Sequence, residues 1–135
     1  MSLIRWTNEM SVGVAELDDQ HQGLVALFNR FHERMMSGHG HRMLDGVLAE
    51  LQRYAEVHFA SEERLFGLHG YPEAPAHQAE HVAFSARVRE LRAEVAAGKQ
   101  FVSLPALNFV RDWLADHVMN VDMAYKAFFA ERRVR

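Results

Sequence analysis

Cysteine is absent from the 135 residues, which removes disulfides, thiolate zinc sites, thiolate-held iron–sulfur clusters and a thiol nucleophile together. Any metal bound by the chain must be held through nitrogen and oxygen. Long apolar runs are lacking too. No stretch approaches the ~20 residues of a membrane-spanning helix, and the opening Met1-Ser2-Leu3-Ile4-Arg5-Trp6 leads into polar residues without the apolar segment of a secretory signal. A cytoplasmic protein with no membrane span is the expectation. Positive charge is not in excess, with 15 Lys and Arg against 18 Asp and Glu, so nothing marks a surface for phosphate backbones and no nucleic-acid partner is expected. Sustained two-residue alternation rich in β-branched side chains is missing as well, which argues against strands. What stands out is histidine, nine residues in a chain of otherwise ordinary composition.

Four stretches carry the three- and four-residue periodicity of a helix face. The first runs Leu17, His21, Leu24, Phe28, Phe31 and Met35, with Asp18 or Asp19 available to cap its start, and stops near residue 37 at Ser37-Gly38-His39-Gly40. A second runs Leu44, Val47, Leu51, Tyr54, His58, Glu62 and Leu65, closed by Gly67 and by Gly70-Tyr71-Pro72. The third runs His77, His81, Phe84, Val88, Leu91 and Val95 to Gly98. The fourth begins around Pro105 and continues through Leu107, Val110, Leu114, His117 and Val121 toward Phe128. Helices of about 20 to 28 residues joined by short connections read as an all-α, up-down-up-down antiparallel four-helix bundle. Residues 1–135 read as a single domain, and Trp6, Met10 and Val14 predict an N-terminal arm packed on the bundle.

Polar residues interrupt every stripe: His21 on the first helix, His58 and Glu62 on the second, His77 and His81 on the third, His117 on the fourth. One histidine on an apolar stripe is ordinarily a core residue satisfied by a single hydrogen bond. Six polar groups aimed at one core are different, because each left unpaired costs about 1–3 kcal/mol and an ionised glutamate more. Metal ions satisfy such a set at once. The i, i+4 pairs His58/Glu62 and His77/His81 each place two donors on one helix face. Asp122, five residues after His117, lies about 140° around an ideal helix, so a shared role for that pair requires a π-type widening.

Five imidazoles and two carboxylates exceed one tetrahedral zinc and are too rich in nitrogen for calcium or magnesium. Two metals are indicated. If both are octahedral, the imidazoles, two bridging carboxylates and one bridging oxygen leave a single position open. Two ferrous ions would leave such a site at roughly +1, less anionic than four-carboxylate diiron sites. A pocket of Leu24, Phe59, Leu114 and Val118 around the open position would admit dioxygen and exclude water.

With His21, H-F-A-S-E at 58–62, H-Q-A-E-H at 77–81 and H-V-M-N-V-D at 117–122, the chain resembles the hemerythrin family. The V-G-V-A-E-L-D-D-Q-H run at 12–21, Trp6 upstream and D-W-L-A-D-H at 112–117 are similar to its bacterial branch. The resemblance implies two irons joined by an oxo or hydroxo bridge: His77, His81 and His117 on one, His21 and His58 on the other, Glu62 and Asp122 across both, and the open position on the second iron. It implies reversible dioxygen binding by a carrier, store or scavenger.

Two other functions remain in view at this point. A diiron oxidase or peroxidase acting on peroxide, ferrous iron or nitric oxide would need a further inward-facing acid or base, and the sequence reading finds none, so no enzyme is expected. An oxygen-sensing module would ordinarily carry a signalling domain. His32, His39, His41 and His69 read as solvated or structural. Met35 and Met36 read as packing, Trp113 as core, and Glu63 as solvent-facing or a partner of a ligand. A mixed surface without an outer apolar stripe predicts a monomer.

Overall fold

The computed structural model describes residues 4–38, 40–99 and 102–135, with the side chains of 40–42 and 119 outside it. His39 and the side chain of His41 therefore lie outside the described residues. Four long helical segments form a bundle: α1 (Ala15–Met36), α2 (Gly40–His69), α3 (Ala74–Ala96) and α4 (Ser103–Asp116). The last continues through a π turn at His117–Val121, a 3-10 turn at Asp122–Tyr125 and α5 (Lys126–Glu131). The fourth stripe therefore runs on as expected, but its regular α portion is only 14 residues long.

Glycine ends the second and third helices. Gly70 (φ 69°) and Gly98 (φ 76°) adopt the left-handed conformation that side chains with a Cβ resist. The next residue in each case reaches back across the helix end, Tyr71 N–H to Phe66 O at 3.1 Å and Lys99 N–H to Glu94 O at 3.0 Å. Gly67, expected as part of the stop, lies inside α2; a helix tolerates one exposed glycine, and only the one with positive φ turns the chain.

The start of α1 differs from expectation. Val14 occupies the cap position and no side chain caps it. Asp18 instead turns toward the arm, accepting hydrogen bonds from Ser11 Oγ at 2.5 Å and Val12 N–H at 2.8 Å. Farther up, Asn29 and Ile4 exchange a reciprocal pair, with Ile4 N–H donating to Oδ1 at 2.9 Å and Nδ2 donating to Ile4 O at 2.7 Å. Ile4 and Trp6 pack on the core, and Val12 and Val14 are buried in it, so the arm is part of the bundle.

The apolar core is divided in two. A larger cluster contains Leu24, Phe28, Phe31, Leu48, Phe84, Val88, Leu107 and Leu114. A smaller, aromatic-rich one contains Leu17, Phe66, Tyr71, Tyr125 and Phe129. The sequence shows what lies between them. On α1, His21 falls between Leu17 and Leu24; on α2, His58 and Glu62 fall between Ala55 and Phe66; on the fourth segment, His117 and Asp122 fall between Leu114 and Tyr125. His77 and His81 precede Phe84 on α3. A polar layer thus crosses the bundle between two dry regions.

Replacing Asp18 by Ala removes a charged acceptor from two arm donors, each such bond contributing about 1.5–3 kcal/mol at most. The expected outcome is a stability loss of about 1–3 kcal/mol in chemical unfolding and faster amide exchange at Val12. Unchanged exchange there would show that the arm is held by its apolar contacts alone.

Candidate metal centre

All seven donors predicted from sequence converge, and all are buried, with His21, Glu62 and Asp122 at 0% exposure. Two groups of four have ligand atoms within 4.8 Å of one another: Glu62 with His77, His81 and His117, and His21 with His58, Glu62 and Asp122. Glu62 belongs to both. Its Oε1 lies 3.1 Å from Nε2 of both His58 and His81, and its Oε2 lies 3.5 Å from His77 Nε2. Asp122 divides its oxygens between the groups, Oδ1 facing His117 at 2.9 Å and His77 at 3.0 Å, and Oδ2 facing His21 at 2.8 Å. Both carboxylates therefore have the placement of bridges.

The π turn makes the Asp122 position possible. The Asp122 N–H donates to His117 O, a bond spanning five residues, so the two side chains that an α-helix would hold about 140° apart come onto one face.

Whether the set suits cations can be read from its unmet bonds. The Nε2 atoms of all five histidines and all four oxygens of Glu62 and Asp122 are buried without a hydrogen-bond partner among the described residues. A protein does not ordinarily bury so many lone pairs against one another. Five nitrogens and shared oxygens fit a pair of divalent first-row ions, and the residues could hold two.

The ionisation behaviour of the ligand set points the same way. Burial opposes charge on Asp122, and Glu62 adds repulsion, yet the adjoining imidazoles of His117, His21 and His77 hold its pKa below the usual carboxylate range. Glu62 is likewise held low against its burial by His58, His77 and His81. Burial alone would lower His77, but Asp122 and Glu62 raise it from 6.5 to about 9, and Asp122 raises His21 against the same cost. Without metal, the two carboxylates thus favour protons on His21 and His77.

Several surrounding residues shape the centre. Phe59 stacks on His81 (ring centroids 3.8 Å apart, 9° between planes) and Trp113 on His117 (4.3 Å, 12°), so Trp113 is core packing that also orients a ligand. Leu24, Phe59, Leu114 and Val118 are all buried in the larger apolar cluster. Glu63 Oε2 lies 3.5 Å from His81 Nδ1, on the outer side of that ring, and beside it a cleft of about 290 Å³ between α2 and α3 is lined by Glu56, Phe59, Glu63, His81 and Arg89. Of the remaining histidines, His32 is buried with its ring 6.2 Å from Phe28, and His69 lies edge-on to Phe129. Met35 packs on the core, whereas Met36 is exposed at the helix end.

Two neighbours escape a sequence reading. Gln20 Oε1 meets His58 Nδ1 at 2.7 Å; its only sequence signal is adjacency to His21. Tyr125 overturns the expectation that no further acid faces inward. Its phenol is fully buried and has no hydrogen-bond partner among the described residues. Burial, then the charges of Glu62 and Asp122, push its pKa well above the ordinary value. Tyr125 continues the fourth stripe, three residues past Asp122, and only the π turn settles that it points at the centre.

A raised histidine pKa stabilises the fold below the unfolded value and loses that contribution as pH rises through the folded one. With His77 moved from 6.5 to about 9, the metal-free protein should lose melting temperature between pH 7 and 10. Binding of two divalent ions at pH 7 should release protons, measurable in an unbuffered titration, and should flatten the pH slope. Binding without proton release would contradict this account of the layer.

The family model for the hemerythrin HHE cation-binding domain matches residues 12–129. A bacteriohemerythrin of Methylococcus capsulatus is 33% identical over 126 residues, covering 93% of this chain and 95% of that one. Another, from Pseudomonas aeruginosa, is 32% identical and covers 93% of this chain and 80% of its own length. A crystal structure of wild-type hemerythrin superposes with a TM-score of 0.84 at 32% identity, over 93% of this chain and 97% of that one. These likenesses span the bundle and every donor described above, and the chain belongs to the hemerythrin family.

Proposed function

We propose that the chain binds dioxygen reversibly at a non-haem diiron centre whose irons share an oxo or hydroxo bridge, acting as a carrier, store or scavenger with no net chemistry. The observation that supports this most is the unequal division of donors: three histidines on one side of the bridging carboxylates, two on the other. In this reading His77, His81 and His117 hold one iron, His21 and His58 the other, and Glu62 and Asp122 both. Iron bound there would supply the reversible electron transfer that dioxygen binding needs.

The chain's own residues do the rest. With two imidazoles instead of three, the His21/His58 side is one donor short, which leaves a position for a small ligand. Leu24, Phe59, Leu114 and Val118 carry no proton donor and exclude water, which favours release of dioxygen over its reduction. Phe59 and Trp113 hold His81 and His117 in fixed planes, so the three-histidine side has little room to rearrange.

Tyr125 is the observation that favours a second reading, an oxidase or peroxidase, because a phenol beside Glu62 could in principle deliver a proton. Its environment opposes that use: the hydroxyl is sealed from solvent and its raised pKa makes it a reluctant acid.

Anaerobic loading with ferrous iron, counting metal per chain, followed by visible spectra through cycles of oxygenation and degassing, tests the proposal. Two irons and a charge-transfer band that appears with oxygen and disappears on degassing are expected. A single conversion to a stable ferric form would sink the carrier reading and favour the oxidase.

A further inference from the structure

The outer side of His58 is held by a chain of hydrogen bonds whose direction can be worked out atom by atom. Ser61 Oγ lies 3.2 Å from Val57 O, one turn back on α2. A carbonyl only accepts, so the single hydroxyl proton of Ser61 points there. Ser61 Oγ must then accept from its other neighbour, the Gln20 amide, 3.0 Å away. The atom facing Ser61 is therefore the Gln20 nitrogen, which fixes the amide orientation. Its oxygen faces His58 Nδ1 at 2.7 Å. An amide oxygen also only accepts, so Nδ1 carries a proton and Nε2, turned toward Glu62 at 3.1 Å, is the nitrogen left to bind a cation. The backbone of α2 thus dictates the tautomer of a ligand on the same helix by way of a side chain from α1.

Close approach of α1 and α2 lets Gln20 span the gap. One turn farther along α1, Gly23 has no Cβ, and one there would fall on the Tyr54 hydroxyl. Gln20 is itself only half-buried, so its position depends on this local fit and on Ser61 more than on enclosure in a core.

The outer neighbour of His58 also differs in charge from those on the other side of the centre. Carboxylates stand near two of the three histidines there without hydrogen-bonding them: Glu63 at 3.5 Å from His81 Nδ1 and Glu80 at 3.8 Å from His117 Nδ1. A negative charge close behind an imidazole makes the ring a stronger donor to a metal and favours the higher oxidation state, whereas a neutral amide does so less. We propose that Gln20, oriented by Ser61, is a positioning residue that locks His58 with Nε2 free for metal and supplies a neutral acceptor, making the two metal positions electronically unequal. The proposal rests on the dinuclear metal centre and not on reversibility toward dioxygen.

The full chain loaded with two zinc ions gives a diamagnetic test. In ¹⁵N-labelled protein, His58 should show a protected, downfield Nδ1–H resonance coupled to a metal-bound Nε2. Gln20→Leu should move that resonance upfield and speed zinc loss to a chelator by roughly 10- to 100-fold. Ser61→Ala, a smaller change, should broaden or split the resonance, because the amide is then free to flip. In iron-loaded protein, Gln20→Glu, close to isosteric, should keep the hydrogen bond and lower the ferric/ferrous midpoint, while Glu63→Gln should raise it. Failure of the chain to take up zinc, a His58 resonance and zinc off-rate unmoved by Gln20→Leu, or a midpoint indifferent to Gln20→Glu would each overturn the proposal. A chain that oxidises irreversibly under oxygen but passes the zinc tests would overturn only the carrier reading.

Discussion

Seven buried imidazole and carboxylate side chains able to hold metal impose one requirement on the rest of the structure: their lone pairs must be satisfied without water. An isolated ionised carboxylate in an apolar interior is prohibitively costly, and a buried neutral polar group still costs about 1–3 kcal/mol when unpaired. Glu62 and Asp122 are both at zero exposure, so each must be compensated within the layer. Without metal, the carboxylates favour protons on His21 and His77, whose pKa values they raise against burial. With two cations the same geometry is satisfied through coordination. The layer is thus stable in either state only because imidazoles and carboxylates occur together, and the apolar clusters above and below keep solvent from offering an easier solution.

That requirement explains the irregular fourth segment. A uniform α-helix after Leu114 would carry Asp122 away from His117 and leave the His21 side without its second carboxylate. The π turn adds one residue to the turn, brings Asp122 inward, and the chain then tightens through Asp122–Tyr125 before resuming α5. Local helix geometry is sacrificed where ligand geometry gains. The same irregularity turns Tyr125 inward, where its phenol sits beside two carboxylates and gains no hydrogen bond in return.

Much of this was legible in the sequence because burial and periodicity act together. Residues that interrupt an apolar stripe at helical spacing must face the core, so His21, His58, Glu62, His77, His81 and His117 could be placed from position alone. The π turn followed from the sequence only on the condition that Asp122 shares the role of His117, since the two cannot otherwise share a face. What could not be read were interactions between helices made from polar faces. Gln20 looks like any solvent-facing residue until α2 is laid beside α1, and Asp18 looks like a helix cap until the arm folds back to use it. Tyr125 was hidden for another reason: its direction depends on how the chain exits a distorted turn, and no repeat pattern encodes that.

The inner ligands therefore set what can bind, while the residues behind them set how it behaves. Phe59, Trp113, Gln20, Glu63 and Glu80 surround three of the rings, and only the aromatic two belong to the apolar core. The others are partly exposed, where a substitution costs the fold little. Carboxylates behind His81 and His117 and an amide behind His58 alter donor strength without changing any ligand. With Glu62 and Asp122 each reaching both groups of histidines, a difference in donor strength between two bound ions would have little room to be relieved by movement and would show as a difference in how firmly each holds its electrons.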